Sequence, residues 1–364
     1  MRLPIVLSLS LFAVCSTAAC AQAPPPGAHI SEANRRAVVE ALGQQLKTNY
    51  VFPDIAASLA TAISAKNASG GYRAYATTSA FGEALTKDLH ELGKDLHLRV
   101  GFEPEFKPEP EQEGKAMSPR KLAEARLEMA QRAYGISRVQ RLPGNVGYLD
   151  IRGFGPTELV APAYTSAMSL LSGSDALIID LRQNGGGEPS SVAYLLSHFF
   201  AEGDARHLND LYSRTDDTTR AYWTDPAVGA RYTRPIYVLT SHDTSSGGEE
   251  CAYDLQTQKR ATLVGESTGG GANPGDYMAL ADGFIAFIPT GRAINPVTRT
   301  NWEHVGVIPD VAVPATAAMK TAYVAILNDL IQKTKDREDK QGLTDTLARV
   351  GKDEIQLPGY TPRH

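Results

Sequence analysis

Ala176-Leu177-Ile178-Ile179-Asp180-Leu181-Arg182-Gln183-Asn184-Gly185-Gly186-Gly187 runs a nearly continuous apolar stretch into three consecutive glycines. Apolar residues without polar alternation predict a strand buried on both faces, the habit of a parallel sheet covered by helices. The glycines let the chain turn sharply at the strand's carboxyl end and present bare N–H groups there. The pattern recurs outward from this point. Strands are predicted at 146–151, 235–240 and 261–264, with helical stretches at 157–171, 190–200 and 249–258 between them. Such alternation predicts an α/β fold with parallel crossovers. Asp282-Gly283, between 277–280 and 284–287, signals a hairpin, and a helix at 315–333 closes the region.

Upstream the pattern is helical. Ser31 suits a helix cap, and Val38, Val39, Leu42 and Leu46 follow at helical spacing. The stretch 49–53 interrupts; 55–63 predicts a second helix ended by Gly70-Gly71, and Phe81, Leu85 and Leu89 mark a third. Three amphipathic helices predict a small bundle over 31–100. The polar, proline-rich stretch 104–114 reads as a solvated linker within 101–117. Ser118-Pro119 then opens a helix, the core runs over 118–340, and 341–364 reads as a C-terminal tail.

The 364 residues carry 36 Lys+Arg against 41 Asp+Glu, a formal charge of -5, with 42% hydrophobic and 21% charged residues. This composition excludes disorder and speaks against a nucleic-acid binder, which needs a basic stripe. Met1-Arg2, the apolar run 3–14 and Ala19-Cys20-Ala21 read as a secretory signal peptide over 1–21, with 22–30 as a tether. An alternative is a lipobox at 17–20, with Cys20 acylated. Either predicts export, periplasmic in a Gram-negative source. No later stretch is expected to span a membrane. Of Cys15, Cys20 and Cys251, cleavage leaves Cys251 alone, which excludes an intrachain disulfide and a cysteine zinc site. The eight histidines show no metal-binding spacing, so neither metal nor cofactor is expected.

In an open α/β sheet, sites gather beyond the carboxyl ends of the strands. Three such ends are glycine-rich: 180–187, 240–250 and 265–271. Each alone is compatible with a plain turn. None is a P-loop, a dinucleotide fingerprint or a G-x-S-x-G elbow.

Together they are more specific. Asp-Leu-Arg-Gln-Asn-Gly-Gly-Gly at 180–187, Thr-Ser-Ser-Gly-Gly-Glu-Glu at 244–250, Val-Gly-Glu-Ser-Thr-Gly-Gly-Gly at 264–271 and Trp-Glu-His-Val-Gly-Val-Ile-Pro-Asp at 302–310 come in order. The set resembles the C-terminal processing (tail-specific) serine peptidase family. The nearest branch is similar to bacterial relatives of interphotoreceptor retinoid-binding protein, with the tricorn protease core more distant. The stretch 142–149 also resembles that branch's first core strand, and the resemblance spans 31–313.

The resemblance implies a crotonase-like ββα spiral core. It implies Ser246 as nucleophile, with Ser245 as fallback. The oxyanion hole would come from the N–H groups of Gly247 and Gly186, with Gly185, Gly187, Gly269 and Gly270 binding substrate. Losing one such donor costs about 3–4 kcal/mol. The family's base is either a lysine about 25 residues after the serine or an upstream histidine. Gly271 stands near the lysine's place, and Lys259 is the only lysine between Ser246 and Lys320. The histidine version remains: Asp95-Leu96-His97 resembles the family's Asp-x-His motif, and Glu303 matches a supporting carboxylate. Leu96 departs from the tricorn branch, which has serine there and could relay from that carboxylate. His90, His242 and His304 are the rival histidines. The distance from Arg99 to the first core strand leaves no room for a PDZ domain. Asp180 and Arg182 are expected to hold the glycine loop.

Two functions follow. One is an exported serine endopeptidase acting on peptides or unfolded protein. The other is a non-catalytic binding protein for retinoids or fatty acids, with Ser246 vestigial.

Overall fold

Ser31 Oγ accepts the Asn34 N–H and starts α1 (Glu32–Asn49). A proline at its N-terminus opens α2 (Pro53–Ala68), and Thr77 accepts the Ala80 N–H at the head of α3 (Thr78–Gly93). Lys94, at a φ of 55°, ends α3 and turns the chain into β1 (Arg99–Phe102). The computed structural model describes residues 27–107 and 118–362. The signal peptide, Cys20, most of the tether and most of the 101–117 linker lie outside the described residues.

The chain continues through α4 (Pro119–Gln131), β2 (Ile136–Leu142), β3 (Val146–Ile151), α5 (Thr157–Leu171), β4 (Ala176–Asp180) and α6 (Pro189–Ser197). Next come β5 (His207–Ser213), β6 (Thr218–Trp223), β7 (Ile236–Thr240), α7 (Gly247–Thr257) and β8 (Thr262–Gly265). The last elements are β9 (Gly275–Ala279), β10 (Phe284–Pro289), β11 (Gly291–Ile294), β12 (Val311–Ala312), α8 (Ala315–Lys333) and α9 (Arg337–Gly351).

Six strands form the central sheet in the order β12-β8-β7-β4-β3-β2. All pairs are parallel except β2 with β3. The two-residue period of each strand sorts its side chains onto two faces. Leu149, Ile151, Leu177, Ile179, Val238 and Leu263 pack with residues of α5, α6 and α7. Tyr148, Ile178, Leu239 and Val264 pack with Met319, Tyr323 and Leu327 of α8. Each fully buried leucine or isoleucine contributes about 1.5–3 kcal/mol.

Two smaller sheets, β1-β10-β9 and β11-β5-β6, flank it. The first corrects the picture of a self-contained bundle joined by a linker that begins at Gly101. Gly101 and Phe102 belong to β1 and pair with Ile285 and Phe284 of β10. Leu42, Leu46, Leu85 and Leu89 share one core with Phe284, Ala286 and Ile288. The Val51 N–H bonds the Pro289 carbonyl at 2.9 Å. The bundle therefore docks on the hairpin through main-chain pairing and apolar burial, and this fixes where the segment 94–98 lies.

The sequence missed β1, β2, β5, β6, β11, β12 and α9. β6 is exposed along most of its length, so no burial pattern marks it. α9, mostly within the stretch read as a tail, carries Leu343, Leu347 and Val350 at helical spacing, a signal the sequence reading passed over.

Candidate active site

β8, β7 and β4 are neighbours, so the loops after them, 266–271, 241–246 and 181–187, lie side by side. Ser246 stands exposed at the cap of α7 with φ 53° and ψ -123°. A serine held there costs about 1–3 kcal/mol, which the surroundings must supply. Glu249 is the main source. It is fully buried, and its carboxylate accepts the Ser246 N–H at 2.8 Å and the Gly271 N–H at 2.9 Å on one oxygen. The other oxygen accepts the Thr268 hydroxyl at 2.5 Å and the Gly270 N–H at 2.6 Å. One side chain thus ties the serine to the loop after β8.

The glycine run of 185–187 closes against this serine. A Cβ on Gly186 would lie 2.7 Å from Ser246 Cβ, and one on Gly187 would lie 1.9 Å from the Phe154 carbonyl oxygen. Asn184 sets the turn: it donates to the Ile151 carbonyl at 2.9 Å and accepts the Gly186 N–H at 2.8 Å. Arg182 and Asp180 brace the loop from below. Arg182, 1% exposed, gives Nε and Nη2 to Asp180 at 2.9 and 2.6 Å, and Nη1 to the Ala315 carbonyl. Tyr148 adds its hydroxyl to Asp180 at 2.6 Å.

The N–H groups of the glycines are not equivalent. Gly185 donates to the Arg152 carbonyl, Gly269 to the Thr244 carbonyl, and Gly186 and Gly270 to side chains as above. Among the described residues, the Gly187 and Gly247 N–H groups have no protein acceptor. Ser245 is half-buried, its N–H on the Asn184 carbonyl.

His97 arrives from the turn between α3 and β1. Its own N–H bonds Asp95 Oδ1 at 2.9 Å. Asp95 is buried, taking the Tyr50 hydroxyl at 3.1 Å and Asn273 Nδ2 at 3.4 Å on its other oxygen. His97 Nδ1 lies 3.5 Å from Asp95 Oδ1 and 3.8 Å from Glu303 Oε2. Glu303 Oε2 also accepts the N–H groups of Ala272 at 2.6 Å and Asn273 at 3.1 Å. The opposite edge of the ring faces Gly271: a Cβ there would sit 2.7 Å from both Cε1 and Nε2. Gly271 and Ser246 line one pocket, of about 70 Å³, together with Gly187, Gly247 and Glu250.

The rival histidines lie elsewhere. His90 Nε2 meets the Leu98 carbonyl at 2.7 Å, and His242 is exposed. His304 places Nδ1 3.7 Å from Glu303 Oε1, so Glu303 lies between two imidazoles.

Charge and burial oppose one another here. Burial works to raise the Asp95 carboxyl, but hydrogen bonds from His97 and Asn273 and the His97 charge hold it below the usual range. Burial works to lower His97, but Asp95 and Glu303 push the imidazole above its ordinary value. Glu303 is pushed up to about 7 by burial and by the charge of Asp95. Asp95, His97 and Glu303 bring three ligand atoms within 4.8 Å of one another. Nitrogen and oxygen donors suit zinc. Both Asp95 oxygens and Glu303 Oε2 already accept protein hydrogen bonds, while His97 Nδ1 and Glu303 Oε1 are buried without one among the described residues.

A serine at a glycine-lined helix start, with a histidine held by carboxylates nearby, is the arrangement of the serine peptidases as a class. Residues 145–313 match the profile of Peptidase family S41, and residues 31–134 match that of the N-terminal domain of Peptidase S41 in eukaryotic IRBP. The chain belongs to peptidase family S41. The resemblance read from the motifs, and the α/β fold with its N-terminal helical region, are borne out.

Carboxyl-terminal-processing peptidase 2 of Arabidopsis thaliana chloroplasts is 28% identical over 192 residues, 49% of this chain and 35% of that protein. The tail-specific protease of Haemophilus influenzae is 30% identical over 97 residues, 27% of this chain and 13% of that protein. The aligned part thus covers about a third or less of these relatives' own length. A crystal structure of a peptidase candidate from Parabacteroides merdae superposes with a TM-score of 0.55 at 20% identity, covering 79% of this chain and 92% of that one. That likeness is one of fold.

Proposed function

We propose that this chain hydrolyses peptide bonds with Ser246 as nucleophile and His97 as its base. The observation that carries this reading is the orientation of the imidazole. Nδ1 is turned to Asp95 and Glu303, and Nε2 is turned to Gly271, on the pocket that Ser246 lines. Ser246 Oγ attacks the peptide carbonyl carbon as Nε2 takes its proton. Nε2 then returns that proton to the leaving amine, and water repeats the cycle on the acyl-enzyme. The oxyanion is received by the N–H groups of Gly247 and Gly187. Gly187 takes the place expected of Gly186, whose N–H is committed to Asn184. Asp95 and Glu303 orient the ring and stabilise its charged form, so Asp95 shares the part that the sequence reading gave to Glu303 alone. Gly185, Gly269 and Gly270 shape the loops, their N–H groups already bonded within the fold.

Substrates are peptides or unfolded chains. The pocket beside Ser246, about 70 Å³, is too small for a retinoid or fatty acid, whose sites run to about 300–1,000 Å³. No helix among the described residues is long and apolar enough to cross a membrane. Export rests on the leader at 1–21.

A fluorophosphonate probe tests the reading. Wild type is expected to be labelled at Ser246, Ser246→Ala to stay unlabelled, and His97→Ala to label far more slowly. An unlabelled wild type, or label on another residue, refutes it.

The pH dependence follows from the carboxylates. Only neutral imidazole accepts the serine proton, so the labelling rate should rise with pH through a midpoint above the ordinary histidine value of about 6.5. Asp95→Asn removes an anion that stabilises imidazolium, so the midpoint should move down. A midpoint that stays or rises in Asp95→Asn contradicts this role.

A further inference from the structure

The pocket beside Ser246 has an unexpected floor. Glu250 and Asn209 line it, and both are almost wholly removed from solvent, at 4% and 0% exposure. Yet Glu250 Oε1 and both polar atoms of the Asn209 amide are buried with no hydrogen-bond partner among the described residues. The Asn209 amide lies close enough to Glu250 to favour its charged form, yet neither group finds a well-formed partner in the fold; such buried polar atoms cost about 1–3 kcal/mol each when left unpaired, and an entering polar group would satisfy them. Leu211, Ala293 and Trp302 supply the apolar walls.

We infer that this pocket receives the side chain of the substrate residue whose carbonyl is attacked, and that Glu250 and Asn209 select a small hydroxyl side chain there, serine or threonine. The inference rests on the reading of Ser246 as nucleophile and names the substrate class of that same site. Position argues for the acyl side. The pocket shares Gly187 and Gly247 with the proposed oxyanion hole. The side chain that branches one atom from the attacked carbon is the one that reaches it.

Size argues for a small residue. At about 70 Å³ the space is well below the roughly 300–1,000 Å³ of sites that take large ligands, and a small side chain leaves its hydroxyl free to meet Glu250 and Asn209.

Chemistry argues for a neutral donor. Burial pushes the Glu250 carboxyl up to about 7, and burial with the charge of Glu250 raises Asp254 beneath it. A carboxyl that holds its proton well above the usual carboxylate range, beside an amide, can donate to and accept from a hydroxyl. A site built to bond a hydroxyl discriminates strongly against the analogue lacking one, because its own polar groups are then left unpaired.

The experiment uses the full chain, its active sites counted with the fluorophosphonate probe. The substrates are reporter amides of one short peptide that differ only in the residue before the reporter: serine, threonine, alanine, leucine, phenylalanine or lysine. Serine or threonine is expected to exceed alanine in kcat/KM by about tenfold, and leucine, phenylalanine and lysine by about a hundredfold or more. In Glu250→Met, similar in length but apolar, the serine-to-alanine ratio should fall to about one, and Asn209→Leu should act likewise. A flat profile, a preference for large or cationic residues, or a serine preference that survives Glu250→Met overturns the inference while labelling of Ser246 still stands. The wild-type profile decides alone if neither variant folds. A wild type that neither labels nor cleaves refutes the hydrolytic reading, and the inference with it.

Discussion

Replacing Gly271 by alanine is expected to lower kcat/KM for peptide hydrolysis by about 10²–10⁴-fold, the worth of a general base. The change adds one methyl group and touches neither the serine nor the histidine covalently. It acts through space, since the new Cβ would sit 2.7 Å from His97 Cε1 and Nε2, closer than real Cβ atoms come to any neighbour. Backbone cannot yield, because the Gly271 N–H is fixed on Glu249. The imidazole can, because its side chain is 24% exposed and open to solvent on one side. The ring should therefore swing off its carboxylates, and the melting temperature should change little. His97→Ala is expected to cost as much, and the double variant little more than either, since the two changes remove one group. Steady-state kinetics on the four proteins, with thermal unfolding beside them, checks this. Near-normal activity in Gly271→Ala would remove His97 from the mechanism.

A side chain at position 271 and the His97 imidazole would compete for one volume, so on the proposed reading glycine at 271 leaves room for the histidine.

Asp180→Ala is expected to lower global stability by about 3–5 kcal/mol. Arg182 would keep its charge at 1% exposure, with the Ala315 carbonyl and the face of the Tyr360 ring as its remaining partners and the Tyr148 hydroxyl left without an acceptor. A buried guanidinium without its anion is far costlier than the pair is favourable. The joint change Asp180→Leu with Arg182→Met should therefore be much milder than Asp180→Ala alone. Urea unfolding of the three proteins measures the difference. A loss below about 1 kcal/mol for Asp180→Ala would mean that water reaches Arg182 and that the pair is not the brace it looks to be.

Much of this was legible in the chain. β3 and β4 are apolar except for Asp150 and Asp180, and α5 and α8 begin and end where periodicity puts them. Capping by Ser31 was readable because a cap acts within one turn. Ser246 was marked by its glycines and by the strand before it, and the bracing part of Asp180 and Arg182 by their place below the glycine run. These are properties of neighbours along the chain. β5 and β6 were not legible, because their polar and apolar residues do not alternate cleanly and their order comes from pairing with each other and with β11.

Residue types and local periodicity thus determined the inner strands β3, β4, β7 and β8 and the helices that cover them, and they marked Ser246 and His97 as candidates. Tertiary structure decided which groups meet. It set Asp95 beside Glu303 on one nitrogen of His97, and it spent the Gly186 N–H on Asn184 while leaving that of Gly187 without an acceptor among the described residues. It also used the buried Glu249 to hold two loops together. The reason is physical. A backbone N–H or a carboxylate oxygen has the same identity wherever it occurs, and whether it is spent or available depends on partners that only the folded chain brings within about 3 Å.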